Sequence, residues 1–223
     1  MILLTLMIAG CKKKIQTVEE LETKVKSEEP NLTKVEEKKE FKITMVYRST
    51  DALMVREYKL YQQEKESLLK SSLSQAAKDS ALAQMKKDIE KRKSSYDKSL
   101  YFVLTLGYLD GKRDIEYESM KSGHDNYSRW MQRLAYSMNK YLYIETPQVA
   151  EVPLAIYQMD RTFGITKDRS FLLVFPREFN NVDLLKEKWL CVNLKEIGLD
   201  IGEVSFKYKL PFDVSETAGT VLL

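Results

Sequence analysis

Histidine and cysteine are nearly absent from this chain of 223 residues: His124 stands alone, and the two cysteines are Cys11 and Cys191. A zinc site takes three or four such ligands at tight spacing, so these three scattered residues do not make one. No acidic cluster has the spacing of a calcium loop. There is no glycine-rich phosphate cradle, no Gly-x-Ser-x-Gly elbow and no Ser-x-x-Lys with its supporting motifs, so neither a metal nor a cofactor is expected. Charge of one sign is not in excess either. A net charge of +3 and the lack of a basic stripe interleaved with aromatics argue against nucleic acid as a partner. No apolar run approaches the roughly 20 residues that a membrane-spanning helix requires.

Glycine and proline are also missing over a long stretch, with neither present from Asn31 to Leu106. Between Asp51 and Lys98 the residues are mostly good or neutral helix formers. Leu68, Leu69, Leu73, Ala76, Ala77, Leu82, Met85 and Ile89 recur mostly at threes and fours. A long helix or helical hairpin over 51–97 is expected, broken near Lys78–Ser80 with Asp79 or Ser80 as a cap. Leu82, Met85, Ile89 and Tyr96 fit a heptad phase that the upstream leucines do not share. Packing on the chain's own β-structure, or projection as an arm, is therefore preferred to a coiled coil between chains.

The remaining segments read mainly as strands. Phe41–Arg48 alternates with period two, and Leu100–Tyr108 is a nearly continuous apolar and aromatic run suited to a central strand. Asp110-Gly111 suggests a hairpin turn, with Asp114–Glu118 as the return strand. Tyr127, Trp130, Met131, Leu134, Met138 and Tyr141 share one helical face. Ser170–Phe175, Trp189–Leu194 and Glu203–Leu210 are further strands, the last with Val204, Phe206, Tyr208 and Leu210 inward and Lys207 and Lys209 outward. Residues 212–223 read as a loose tail. About eight short strands predict a mainly β fold, an antiparallel sandwich immunoglobulin-like at the level of fold, with the helical element of 51–97 inserted. The alternative is an α+β layout with helices on one face of a single antiparallel sheet.

The first fourteen residues have a different logic. Met1–Ile8 is an apolar run too short to span a bilayer, followed by Ala9-Gly10-Cys11 and then Lys12-Lys13-Lys14. Ile8-Ala9-Gly10-Cys11 resembles the lipobox of bacterial lipoproteins: an aliphatic residue, two small ones and the invariant cysteine. The resemblance covers residues 1–11 alone. It implies that 1–10 is a signal peptide, that the Cys11 thiol receives a diacylglycerol, and that the mature chain is held in the cell envelope by lipid. Lys12 after that cysteine is compatible with outer-membrane sorting rather than retention at the inner membrane.

Residues 12–40 hold eight lysines against eight glutamates with no aromatic residue, so 11–40 is read as a lipidated cysteine plus a disordered charged tether. The single folded domain is then 41–223. With Cys11 lipidated, Cys191 lacks a partner within the chain; its apolar setting points to a buried, inert thiol. His124 fits a catalytic triad only if the fold brings a serine and a carboxylate to it.

These residues favour a lipid-anchored envelope protein without catalytic residues, its β-domain binding an envelope protein or a glycan. The alternatives are an assembly protein oligomerising through 51–97 and, less favoured, an envelope hydrolase. The mass of the mature N-terminus isolated from membranes tests the anchor. A diacylglyceryl-modified Cys11 is expected, and an unmodified Met1 would remove the claim.

Overall fold

A computed structural model describes residues 17–121, 123–160 and 166–212. The described chain runs α1 (Val18–Leu32), β1 (Thr33–Lys38), β2 (Phe41–Arg48), α2 (Thr50–Lys70), α3 (Gln75–Tyr96), β3 (Ser99–Tyr108), α4 (Ile115–Met120) and α5 (His124–Tyr136). It continues through β4 (Leu142–Glu145), β5 (Val152–Pro153), β6 (Ile156–Met159), β7 (Arg169–Pro176), β8 (Glu178–Phe179), β9 (Val182–Asp183), β10 (Trp189–Leu194) and β11 (Val204–Lys209). Among the described residues the class is α+β, with five helices and eleven antiparallel strands.

The expected eight-stranded sandwich is thereby corrected. The strands form a five-stranded sheet in the order β1-β2-β3-β7-β6, a four-stranded sheet β11-β10-β4-β5, and the small pair β8-β9. The helical share and the division into three sheets both depart from the mainly β expectation. The α+β alternative has the right class, but its single sheet is replaced by these three.

Apolar alternation explains why the two larger sheets share one core. On β3, Leu100, Phe102, Leu104 and Leu106 point inward and are fully buried, as are Phe171, Leu173 and Phe175 on β7. They belong to the same cluster as Leu190, Val192 and Leu194 of β10 and Val204, Phe206 and Tyr208 of β11. The α5 face supplies Trp130 and Leu134 to it, as the spacing predicted.

The helical hairpin does lie between two strands, but its break is at Ser71–Ser74 rather than at Lys78–Ser80. Ser74 caps α3 by accepting from the Ala77 amide, and the Lys78 ammonium donates to the Leu69 carbonyl at the end of α2, 2.8 Å away. A serine at a helix start satisfies an amide that the helix itself leaves open. The heptad-phased Met85, Ile89 and Tyr96 pack with Met54, Tyr58 and Tyr61. Their apolar stripe is thus used within the chain, between its own two helices.

The largest correction falls on the charged segment expected to be a tether. Residues 18–38 form α1 and β1. Thr17 and Glu20 make a reciprocal capping box at the helix start. Val18 and Leu21 are 1% and 2% exposed against the α2–α3 cluster. The charges pair with specific partners: Glu22 with Lys59 (2.6 Å), Lys24 with Asp51 (2.8 Å) and Glu29 with Arg48 (3.0 Å). Composition alone hid this, because three buried apolar positions, Val18, Leu21 and Leu32, suffice when neighbouring elements complete the face.

The return strand expected at Asp114–Glu118 is also replaced, by α4. The Asp114 carboxylate accepts from the Glu116 and Tyr117 amides, and Glu116 lies in the positive first turn. Only Ile115 of that segment is buried, so no strand face was there to pair. Leu21→Ala tests the placement of α1. Removing a fully buried leucine should lower unfolding stability by about 2–4 kcal/mol in urea titration. A solvated tether position would change it by less than about 0.5 kcal/mol.

Candidate ligand cleft at the sheet seam

Two strands lie at sheet edges on the same side of the molecule. β1 pairs only with β2, and β11 pairs only with β10. The edges approach one another without joining, and an open cleft of about 750 Å³ lies beside them. Pro30 and Asn31 from the last turn of α1, together with Lys34, form one wall. Tyr208 to Phe212, across a cis Leu210–Pro211 bond, form the other.

The aromatic floor is rigid. The Tyr208 hydroxyl donates to the Met45 carbonyl of β2 at 2.8 Å, and burial raises its pKa well above the usual phenol range. Tyr208 therefore serves as a hydrogen-bond donor and packing surface. Phe212 stacks on Tyr47 with ring centres 3.7 Å apart and planes within 10°. Phe212, the first residue of the expected loose tail, is packed at 9% exposure, and residues 213–223 lie outside the described residues.

The cleft has a definite electrostatic sense. Among the described residues, Lys34 and Lys209 are its two charged lining residues, and no carboxylate lines it. The Lys34 ammonium lies 5.8 Å from the centre of the Tyr208 ring. Among the described residues no histidine, cysteine or aliphatic hydroxyl joins them. The arrangement suits capture of an anionic group beside an apolar surface.

The residues singled out from sequence go elsewhere. His124 opens α5 with its side chain 91% exposed, and Asp125 lies 3.8 Å from it; no serine is held against it among the described residues. Asp110 and Asp114 have backbone duties in a turn and a cap. Among the described residues no group of three or more His, Cys, Asp or Glu side chains is placed to hold a metal ion. Cys11, the expected lipidation residue, lies outside the described residues.

Cys191 is buried at 8% exposure on the outer face of the four-stranded sheet, and burial raises its thiol pKa. Beside it Asn193 accepts from the Ser205 hydroxyl at 2.6 Å. Tyr143 of β4 lies opposite Asn193 yet donates at 2.7 Å to Glu203, just before β11, so the phenol crosses above β10. That bond, with burial second, raises the Tyr143 pKa to about 12. The setting is one in which a thiol stays protonated and unreactive.

Sequence reading placed Tyr208 inward and Lys209 outward, but no signal joined them to Pro30 and Lys34 at the other end of the chain. No protein-family model matches the chain, and no curated protein does. One solved structure is similar, a protein of unknown function from Burkholderia pseudomallei. It shares 10% identity at a TM-score of 0.40, over 87% of this chain and 90% of that one.

Tyr208→Phe probes the floor of the cleft. Losing the donor to a buried carbonyl should cost about 1–2 kcal/mol of unfolding stability while far-ultraviolet circular dichroism stays unchanged. No loss would mean that the bond does not hold the two sheets in place.

Proposed function

We propose that this chain is a bacterial envelope lipoprotein, held by lipid on Cys11, whose domain binds a partner through the seam cleft without chemistry of its own. The observation that carries the binding reading is the lining: two lysines over an aromatic and proline surface, with no carboxylate opposing them among the described residues. An extended segment of an envelope protein bearing acidic side chains fits that chemistry best. The two edge strands add free backbone groups, to which an extended segment can pair in the manner of an added strand. The anchor reading rests on the Ile8–Cys11 resemblance.

The lysines act here as attractors more than as anchors. Exposed ion pairs contribute only about 0–1 kcal/mol each, so affinity must come mainly from the apolar wall and strand pairing. A photo-crosslinking residue at position 209, irradiated in intact cells, tests the reading. Recovery of an envelope protein is expected, with the yield falling at least several-fold when Lys34→Glu is added. Recovery of no envelope component would overturn it.

A further inference from the structure

We propose that the tip of the α2–α3 hairpin seats on the bilayer surface that holds the anchor, with Leu69 and Leu73 entering the headgroup boundary between Lys70 and Lys78. The inference rests on the lipoprotein reading and adds an orientation to it.

The direction of α1 is the first observation. Glu22 pairs with Lys59, Lys24 with Asp51 and Glu29 with Arg48, so α1 runs antiparallel to α2 and its N-terminus faces the hairpin tip. From the Glu22–Lys59 level, five residues of helix lead back to Thr17 and eleven lead out to Lys70. At 1.5 Å per residue the tip overhangs Thr17 by about 9 Å.

Chain length is the second. With α1 folded, only residues 12–16 separate Cys11 from Thr17, in place of a tether of nearly thirty. Those six Cα steps span at most about 22 Å. With the hairpin axis along the bilayer normal, the tip then lies no more than about 13 Å from the level of the anchored cysteine.

The tip has the chemistry for that place. Leu69 in the last turn of α2 and Leu73 within the Ser71–Ser74 break are 49% and 52% exposed. From Ser67 to Lys78 there is no carboxylate, and the charged residues are Lys70 and Lys78. Between Gln62 and Asp88 no residue is fully buried, and Met85, packed against the cluster of α1, α2 and α3, lies ten residues into α3 from the tip. Leucines at the acyl boundary with lysines at the phosphates is how an amphipathic element binds an anionic leaflet. Ser71, Ser72 and Ser74 suit the hydrated headgroup layer between them.

The test uses the lipidated full chain, purified from membranes and reconstituted in vesicles of phosphatidylethanolamine and phosphatidylglycerol. Ser72→Cys carries an environment-sensitive fluorophore, and Lys186→Cys serves as a control remote from the tip. The expected result is a blue shift at position 72, with quenching by lipid-borne quenchers several-fold stronger than at 186. Leu69→Ser with Leu73→Ser should abolish both. Equal, water-like signals at the two positions in a vesicle-bound chain would overturn the inference and leave the anchor intact. So would a blue shift without lipid quenching, which would mean that the tip packs on protein. An unmodified Cys11 by mass would overturn the anchor, and the inference with it.

Discussion

A buried phenol has one hydroxyl to satisfy, and in Tyr208 that hydroxyl ties the two large sheets together. Apolar packing between sheets tolerates small slides, whereas a hydrogen bond to one carbonyl does not. Tyr208 of β11 donates to Met45 of β2, and its ring lies 5.6 Å from Phe102 and 5.7 Å from Phe212. An unpartnered buried hydroxyl costs on the order of 1–3 kcal/mol, a large part of an ordinary domain's stability. The height of β11 against β2 is set by this bond. So is the width of the seam, because the same ring is the floor of the cleft.

The helical layer shows which forces dominate on the other side of the five-stranded sheet. Each exposed ion pair along α1 is worth only a fraction of a kcal/mol, and Lys24–Asp51, more buried, must also offset desolvation. Burying Leu21 is worth about 2 kcal/mol. The apolar contacts therefore hold α1 down, and the charges choose its direction along α2. That direction carries the inference about the hairpin tip.

Legibility followed the range of the contacts. β3, β7, β10, β11 and α5 were readable because a regular apolar period needs only a local stretch of chain. The hairpin was readable for the same reason; its break was not, since Ser71–Ser74 and Lys78–Ser80 offer caps of similar quality. α1 was hidden because Val18 and Leu21 are apolar in a charged stretch, and Met54, Tyr58, Tyr61 and Ile89, distant in sequence, complete their face. At Asp114–Glu118 a five-residue alternation was overruled by one capping carboxylate. Of the candidate site, the outward Lys209 and inward Tyr208 were readable as strand positions. Their meeting with Pro30 and Lys34 was not, because it depends on two sheet edges from opposite ends of the chain.

That union of the two ends bears on the order of events during synthesis. β11 is the last strand made among the described residues, and it delivers Val204, Phe206 and Tyr208 to a core begun by β2 and β3. Until it arrives, the inner face of β10 lacks one of its two neighbours, and the Met45 carbonyl lacks its phenol donor. Contacts this distant in sequence form late and slowly. The two-sheet core therefore closes only once β11 has emerged, however early β2 and β3 were made.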